Sequence, residues 1–99
     1  MDLRHTIRLM TSDDYKDRFV AEYLQLKERY TRLKRYVHRI RAAQLMCKEE
    51  PKHDCPIGLL TAQLNNMDEY MKTLELRAII ENIDLDADPE ELLRCHESE

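Results

Sequence analysis

The sequence predicts an all-α protein: an antiparallel two-helix hairpin of coiled-coil type, completed by oligomerisation, with a short acidic C-terminal helix or tail. Three observations predict it. Two long stretches carry apolar residues at unbroken heptad spacing. A brief segment around Pro51 separates them, and short connections favour antiparallel neighbours. A single glycine among 99 residues, with 36% of them charged, excludes a turn-rich β-domain and fits long exposed helices.

Residues 1–10 alternate only weakly, with Leu3, Ile7 and Leu9 apolar among polar neighbours. They read as an N-terminal arm, a strand, an extended segment or disorder, that the fold does not need. The hairpin domain follows over residues 11–83. Thr11-Ser12-Asp13-Asp14 signals a helix start, because a hydroxyl can accept from first-turn N–H groups and acids favour the positive end of the helix dipole. The first helix is expected over 12–47. Its seam runs through Phe19, Tyr23, Leu26, Tyr30, Leu33, Val37 and Ile40 in steps of 4-3-4-3-4-3.

The connection is expected over 48–55, where Pro51 ends any helix that reaches it. Asp54-Cys55-Pro56 opens the second helix, expected over 56–82, with Pro56 in the first turn where a missing N–H costs nothing. Its seam is Leu60, Leu64, Met67, Met71, Leu74 and Ala78. Residues 84–99 form an acidic tail, in which Asp88-Pro89-Glu90-Glu91 could open a short helix at 89–95.

With the turn centred near Glu50, Ile40 meets Leu60, Val37 meets Leu64, and Leu33 meets Met67. Tyr30 then meets Met71, Leu26 meets Leu74, and Tyr23 meets Ala78. A polar stripe flanks this seam: Tyr15, Glu22, Arg29 and Tyr36 on one helix, Gln63, Tyr70 and Arg77 on the other. The same register opposes Glu22 to Arg77, Arg29 to Tyr70 and Tyr36 to Gln63, all favourable pairs. Two helices bury only one stripe each, so a second copy is expected to complete the core.

Charge is unevenly spread behind a net value of −4. Lys27 to Arg41 holds seven bases against Glu28 alone, while Glu81 to Glu99 holds eight acids against Arg94 alone. The basic stretch with Tyr30 and Tyr36 suits a compact anion. Overall acidity argues against nucleic acid. Cys47, Cys55 and Cys95 are an odd number at irregular spacing, and residues 1–10 have no apolar core of signal-peptide length. We therefore expect free thiols in a cytoplasmic setting. No apolar run approaches the roughly 20 residues that span a bilayer, so no membrane partner is expected. Cys47, His53 and Cys55, with Cys95 and His96 in the tail, match no zinc spacing. Neither metal nor cofactor is expected. No nucleophile elbow, phosphate loop or paired carboxylates occur, so the expectation is a binding protein and not an enzyme.

Several segments carry a resemblance: Asp14-Tyr15-Lys16-Asp17-Arg18, then Glu22 through Tyr30, then Cys55-Pro56, Leu60, Gln63, Met67, Tyr70, Leu74, Glu75 and Arg77. Over about Asp14 to Leu85 the chain is similar to the uncharacterised small helical-hairpin proteins of crAss-like and other gut bacteriophages and their prophages. Residues 1–9, the longer basic end of the first helix and the acidic tail depart from the short members. The resemblance implies a phage accessory protein acting in the cytoplasm of an infected bacterium. By analogy with other small phage helical oligomers, it implies sequestration of an anionic nucleotide immune signal at an interface between copies. The residues expected to hold that ligand are Tyr15, Arg18, Arg29 and Tyr36, rings to stack and guanidinium groups to take phosphate. Two other readings stand beside it: an adaptor or inhibitor docking a host or phage protein through a helix face, and a structural component without ligand.

Overall fold

A computed structural model describes residues 6–85, and all of its elements are helices: α1 (Ile7–Met10), α2 (Tyr15–Leu45) and α3 (Ile57–Glu81). The acidic segment at 86–99, including the expected helix at 89–95, lies outside the described residues. The α2 helix of 31 residues and α3 of 25 form the hairpin. Each stops a residue or more inside its expected range, for reasons visible at the caps.

At the start of α2 the cap is a carboxylate and not a hydroxyl. Asp14 adopts extended backbone, and its Oδ1 accepts from the Lys16 N–H at 2.9 Å. Ser12 works one step back: its Oγ accepts from the Asp14 N–H and donates to Asp17 Oδ2 at 2.8 Å. That leaves Ser12 and Asp13 before the helix, so α2 begins at Tyr15. Pro56 stands just outside α3, its carbonyl accepting from Leu59 and Leu60. The far end of α3 closes on Asn82, which takes a left-handed conformation at φ 58°, and Ile83 N–H reaches back to the Ala78 carbonyl at 2.8 Å. This is a Schellman closure, and it turns Ile83 inward to 8% exposure.

The N-terminal segment differs from expectation. Residues 7–10 form a short helix whose Leu9 is fully buried, and Thr6 is buried as well. Gln25 Nε2 on α2 donates to Thr6 Oγ1 at 2.9 Å. The described part of the arm is therefore packed structure. It covers the side of α2 that faces away from α3, which explains why Val20 and Ala21 are buried although they stand off the heptad seam.

The main core sits at this open end of the hairpin. Leu9, Phe19, Val20, Ala21, Tyr23, Leu74, Ala78 and Ile83 form one buried cluster, with Leu24, Leu26, Met71 and Leu85 packed against it. The expected neighbours Leu26 with Leu74 and Tyr23 with Ala78 share that cluster. Tyr23 also spends its hydroxyl, donating to Glu75 Oε1 on α3 at 2.8 Å. In the middle, Tyr30, Leu33, Leu64 and Met67 are only half-buried, because no third element covers them. Val37, Ile40 and Ala43 are buried again near the connection.

The connection is fastened by polar contacts. Tyr36 OH donates to the Lys52 carbonyl, Gln44 bonds Glu50, and Arg41 Nη2 donates to Thr61 Oγ1 at 3.2 Å. The α2 helix ends before its expected limit because Cys47 turns left-handed at φ 54°, with Lys48 N–H returning to the Ala43 carbonyl at 2.9 Å. A side chain there costs ~1–2 kcal/mol that glycine avoids, offset by glycine's larger unfolded-state entropy. Cys47→Gly is accordingly expected to stabilise the hairpin by about 0.5–1 kcal/mol, read as a higher urea midpoint. A lower midpoint would show that the thiol makes a contact of its own.

His53 adds a pH-sensitive contact. Its Nδ1 lies 2.7 Å from the Cys55 carbonyl and its Nε2 lies 3.5 Å from Glu50. The backbone carbonyl chiefly, with Glu50 and Asp54 assisting and desolvation opposing, raises its pKa above the ordinary 6.5. A raised folded-state value favours the protonated ring. The stabilisation is thus complete below pH 6.5 and is lost as pH rises through the folded value. An NMR titration should show His53 changing charge above 6.5; a midpoint below it contradicts these contacts.

Candidate functional site

The α2 and α3 helices meet along one edge where large polar side chains interlock around Arg77. Its Nη2 donates to Tyr15 OH at 2.6 Å, and its Nε lies 3.2 Å from Glu81 Oε2. The guanidinium carbon stands 5.0 Å above the Phe19 ring, a cation–π distance, and Tyr15 meets Phe19 edge-on at 6.2 Å between centroids. Arg77 is thus held on three sides while 47% of its side chain remains exposed. Desolvation opposes its charge, but Tyr15, Glu81 and Glu22 outweigh it and raise the pKa further.

Two turns back along α3, Tyr70 OH donates to Glu22 Oε1. That bond is the main cause of a raised Tyr70 pKa, with burial adding to it and Arg77 opposing. Tyr15 is raised too, first by desolvation, then by a bond with Glu81, against the pull of Arg77. Both phenols are therefore firmly neutral near pH 7, available as hydroxyl donors and as flat apolar faces. Beside Tyr70 and Arg77 lies an open groove of about 370 Å³, lined by these two with Glu69, Thr73 and Leu74. That volume falls in the range of small-ligand sites, ~300–1,000 Å³. A smaller hollow of about 170 Å³ is lined by Asp14, Asp17 and Asp84 with Lys16, three acids to one base, and so disfavours an anion.

The polar stripe is real as an edge but pairs differently from the expected register. Tyr70 bonds Glu22 and not Arg29, and Arg77 bonds Tyr15 while feeling Glu22 only through its charge. Each partner on α2 lies one heptad closer to the N-terminus than expected. Long side chains on facing edges can reach diagonally past the layer they start from. Tyr36 gives its hydroxyl to the Lys52 carbonyl, leaving Gln63 exposed without it.

The four residues expected to hold a ligand do not converge within one chain. Tyr15 sits in the Arg77 network. Arg18 Nη1 donates to the Ser12 carbonyl at 2.7 Å and supports the cap. Arg29 is exposed on the stripe, and Tyr36 is tied to the connection. Tyr15 and Tyr36 stand 21 residues apart, ~32 Å along a helix. Arg77, placed in the stripe but not among the ligand residues, is the one that the fold surrounds with rings and hydroxyls. Its signal was the i, i+4 spacing to Glu81 together with a seam aromatic, Phe19, near the same end of the hairpin.

The basic face of α2 is displayed to solvent. Arg32 pairs with Glu28 at 3.0 Å, and Lys34 lies 5.7 Å from the Tyr30 ring centre. Arg29, Arg35 and Arg39 are exposed. Among the described residues no group of three or more His, Cys, Asp or Glu is placed to hold a metal ion, and Cys47 and Cys55 are free and exposed. No helix among them is long and apolar enough to cross a membrane.

A protein-family model described as Sequestin matches residues 13–80, well over half the chain. No curated protein and no solved structure matches.

Proposed function

The chain belongs to the Sequestin family, and from that premise we propose that it holds a small anionic ligand, a nucleotide-like immune signal of a bacterial host, away from the effector that reads it. The family's name denotes sequestration, which is a binding role. The finer reading adds a phage protein at work in the host cytoplasm, a ligand with phosphate and base, and no chemical step. The observation that carries it is Arg77: a half-exposed guanidinium, fixed by Tyr15, Glu81 and Phe19, at the mouth of a groove walled by Tyr70 and Thr73. A guanidinium held this way can take a phosphate by two parallel bonds, and the neighbouring phenols offer stacking faces.

Native mass spectrometry of protein purified from bacterial lysate, before and after denaturing and refolding, tests this reading. A bound mass of nucleotide size that refolding removes is the expected result. Protein free of any adduct, and unaltered in thermal stability by a panel of cyclic and linear nucleotides, would overturn it. A second reading, docking of a protein partner, draws on the exposed apolar end of α3, where Leu76, Ile79 and Ile80 face solvent.

A further inference from the structure

The net charge of −4 comes from one end of the chain. Residues 86–99 hold six acids against Arg94, a net of −5, whereas residues 6–85 hold fourteen bases and thirteen acids. Within that near-neutral body the bases are crowded onto α2, where Lys27 to Arg41 carries a net of +6. Glu28, the single acid of that stretch, pairs with Arg32 at 3.0 Å. Lys27, Lys34, Arg35 and Arg39 are exposed, and among the described residues no carboxylate lies within ion-pair distance of them. Such a face attracts any polyanion within reach.

The turn that closes α3 delivers the chain to this face. Asn82, Ile83 and Asp84 lie against Lys16, Asp17 and Val20 around the small hollow at the start of α2. Leu85 packs against the core cluster at the same end. Asp17, Val20 and Leu24 stand on one line of α2 in steps of three and four, and Lys27, Lys34 and Arg41 continue that line towards the connection. The line borders the hairpin edge opposite the one that holds Arg77; along it Tyr23 meets Glu75 and Arg41 meets Thr61. From Val20 to Arg41 is ~32 Å of helix. The fourteen residues after Leu85 reach up to ~46 Å.

We propose that residues 86–99 dock on the basic line of α2 in the same chain, their carboxylates set against Lys27, Lys34, Arg35 and Arg39. A charge of −5 against +6 comes close to cancelling. Each exposed ion pair is weak alone, but a tethered partner acts at an effective concentration on the order of millimolar. The segment therefore outcompetes polyanions free in solution. Its docking keeps nucleic acid off α2 and leaves the Arg77 edge as the cationic site open to a compact ligand. That selectivity rests on the binding reading above; the docking does not.

A nitroxide on Cys95 of the full chain, with Cys47→Ser and Cys55→Ser to make the label unique, tests the docking by NMR. The expected result is broadening of the Lys27, Lys34 and Arg41 amides at low salt, stronger than at Gln63 and Tyr70 on the opposite edge. It should fade towards about 1 M salt as the charges are screened. Unbroadened α2 amides overturn the proposal. So does broadening that requires the nitroxide and the observed amides to be on different molecules, which would give the face to another copy's tail. A second arm uses a fluorescent oligo-dT strand as the polyanion. With Asp86→Asn, Asp88→Asn, Glu90→Gln and Glu91→Gln together in the full chain, the strand should bind on the order of tenfold tighter or more, with a steep loss on adding salt. Adding Lys34→Glu and Arg39→Glu should abolish that gain. Equal binding by the wild type and the neutralised chain would overturn the screening of α2. Neither arm reads nucleotide capture, so a failure of the ligand reading would leave the docking standing.

Discussion

Leu74→Ala is expected to cost about 2–5 kcal/mol and to lower Tm by roughly 10–30 °C. Leu74 is 2% exposed and stands in the cluster that joins all three helices, against Phe19, Tyr23 and Ala78. Its truncation leaves a cavity among Phe19, Tyr23 and the other members of the cluster, which relax only in part around it. For a domain whose total stability is of order 5–15 kcal/mol, that loss is severe. Leu45→Ala provides the contrast: at 86% exposure it should shift stability by no more than about 0.5 kcal/mol. Urea denaturation of both variants checks the pair. Equal effects would mean that the core is not at the open end.

The second large effect concerns Arg77. Arg77→Ala should weaken ligand binding by about 10- to 100-fold, the loss of one or two charged hydrogen bonds at ~1.5–3 kcal/mol. Stability should change little, because its bond to Glu81 is half exposed and screened by solvent. Arg77→Lys should recover only part of the affinity, since an ammonium cannot make the paired contact of a guanidinium. Isothermal titration with the ligand identified by mass spectrometry reads both. Arg18→Ala and Arg29→Ala form the comparison. Arg18 is committed to the Ser12 carbonyl, and Arg29 lies ~18 Å along α2 from the turn of Tyr15 and Arg18, so each should matter less than Arg77. A larger loss at Arg29 would move the site towards the basic end of α2.

The hairpin was legible because a heptad pattern depends only on residue spacing, and both seams are unbroken over several turns. Phe19, Tyr23, Val37, Ile40, Leu74 and Ala78 are buried as the periodicity requires. What the pattern does not carry is coverage from a third direction. Val20 and Ala21 are ordinary off-seam residues until α1 and Ile83 fold over them. A four-residue helix such as α1 is below the length at which periodicity is visible, and its stability comes from Leu9 and Thr6 being packed, not from propensity. The ends of α2 and α3 depended on left-handed residues, Cys47 and Asn82; asparagine is a recognised C-terminal cap, cysteine is not.

The site was half legible for a related reason. Tyr15, Glu22, Tyr70 and Arg77 were all assigned to one edge from their heptad positions, and they do share it. Their partners lie one heptad nearer the N-terminus of α2 than the apolar layers indicate, because a tyrosine or arginine reaches several ångströms beyond its own layer. A rise of 1.5 Å per residue spreads Tyr15, Arg18, Arg29 and Tyr36 along α2, so these four would meet one ligand only across an interface between copies. A ligand site on a straight helix has to be local or shared between chains.

On the function proposed above, this protein holds a ligand and returns it unchanged. The direct test is to mix excess protein with a panel of cyclic and linear nucleotides, remove the protein by filtration, and then heat-denature it and analyse what is released. One class of nucleotide should disappear from the filtrate, reappear intact on heating, and stay in the filtrate with Arg77→Ala. Recovery of a cleaved or modified product, or a filtrate that retains every nucleotide, would contradict it.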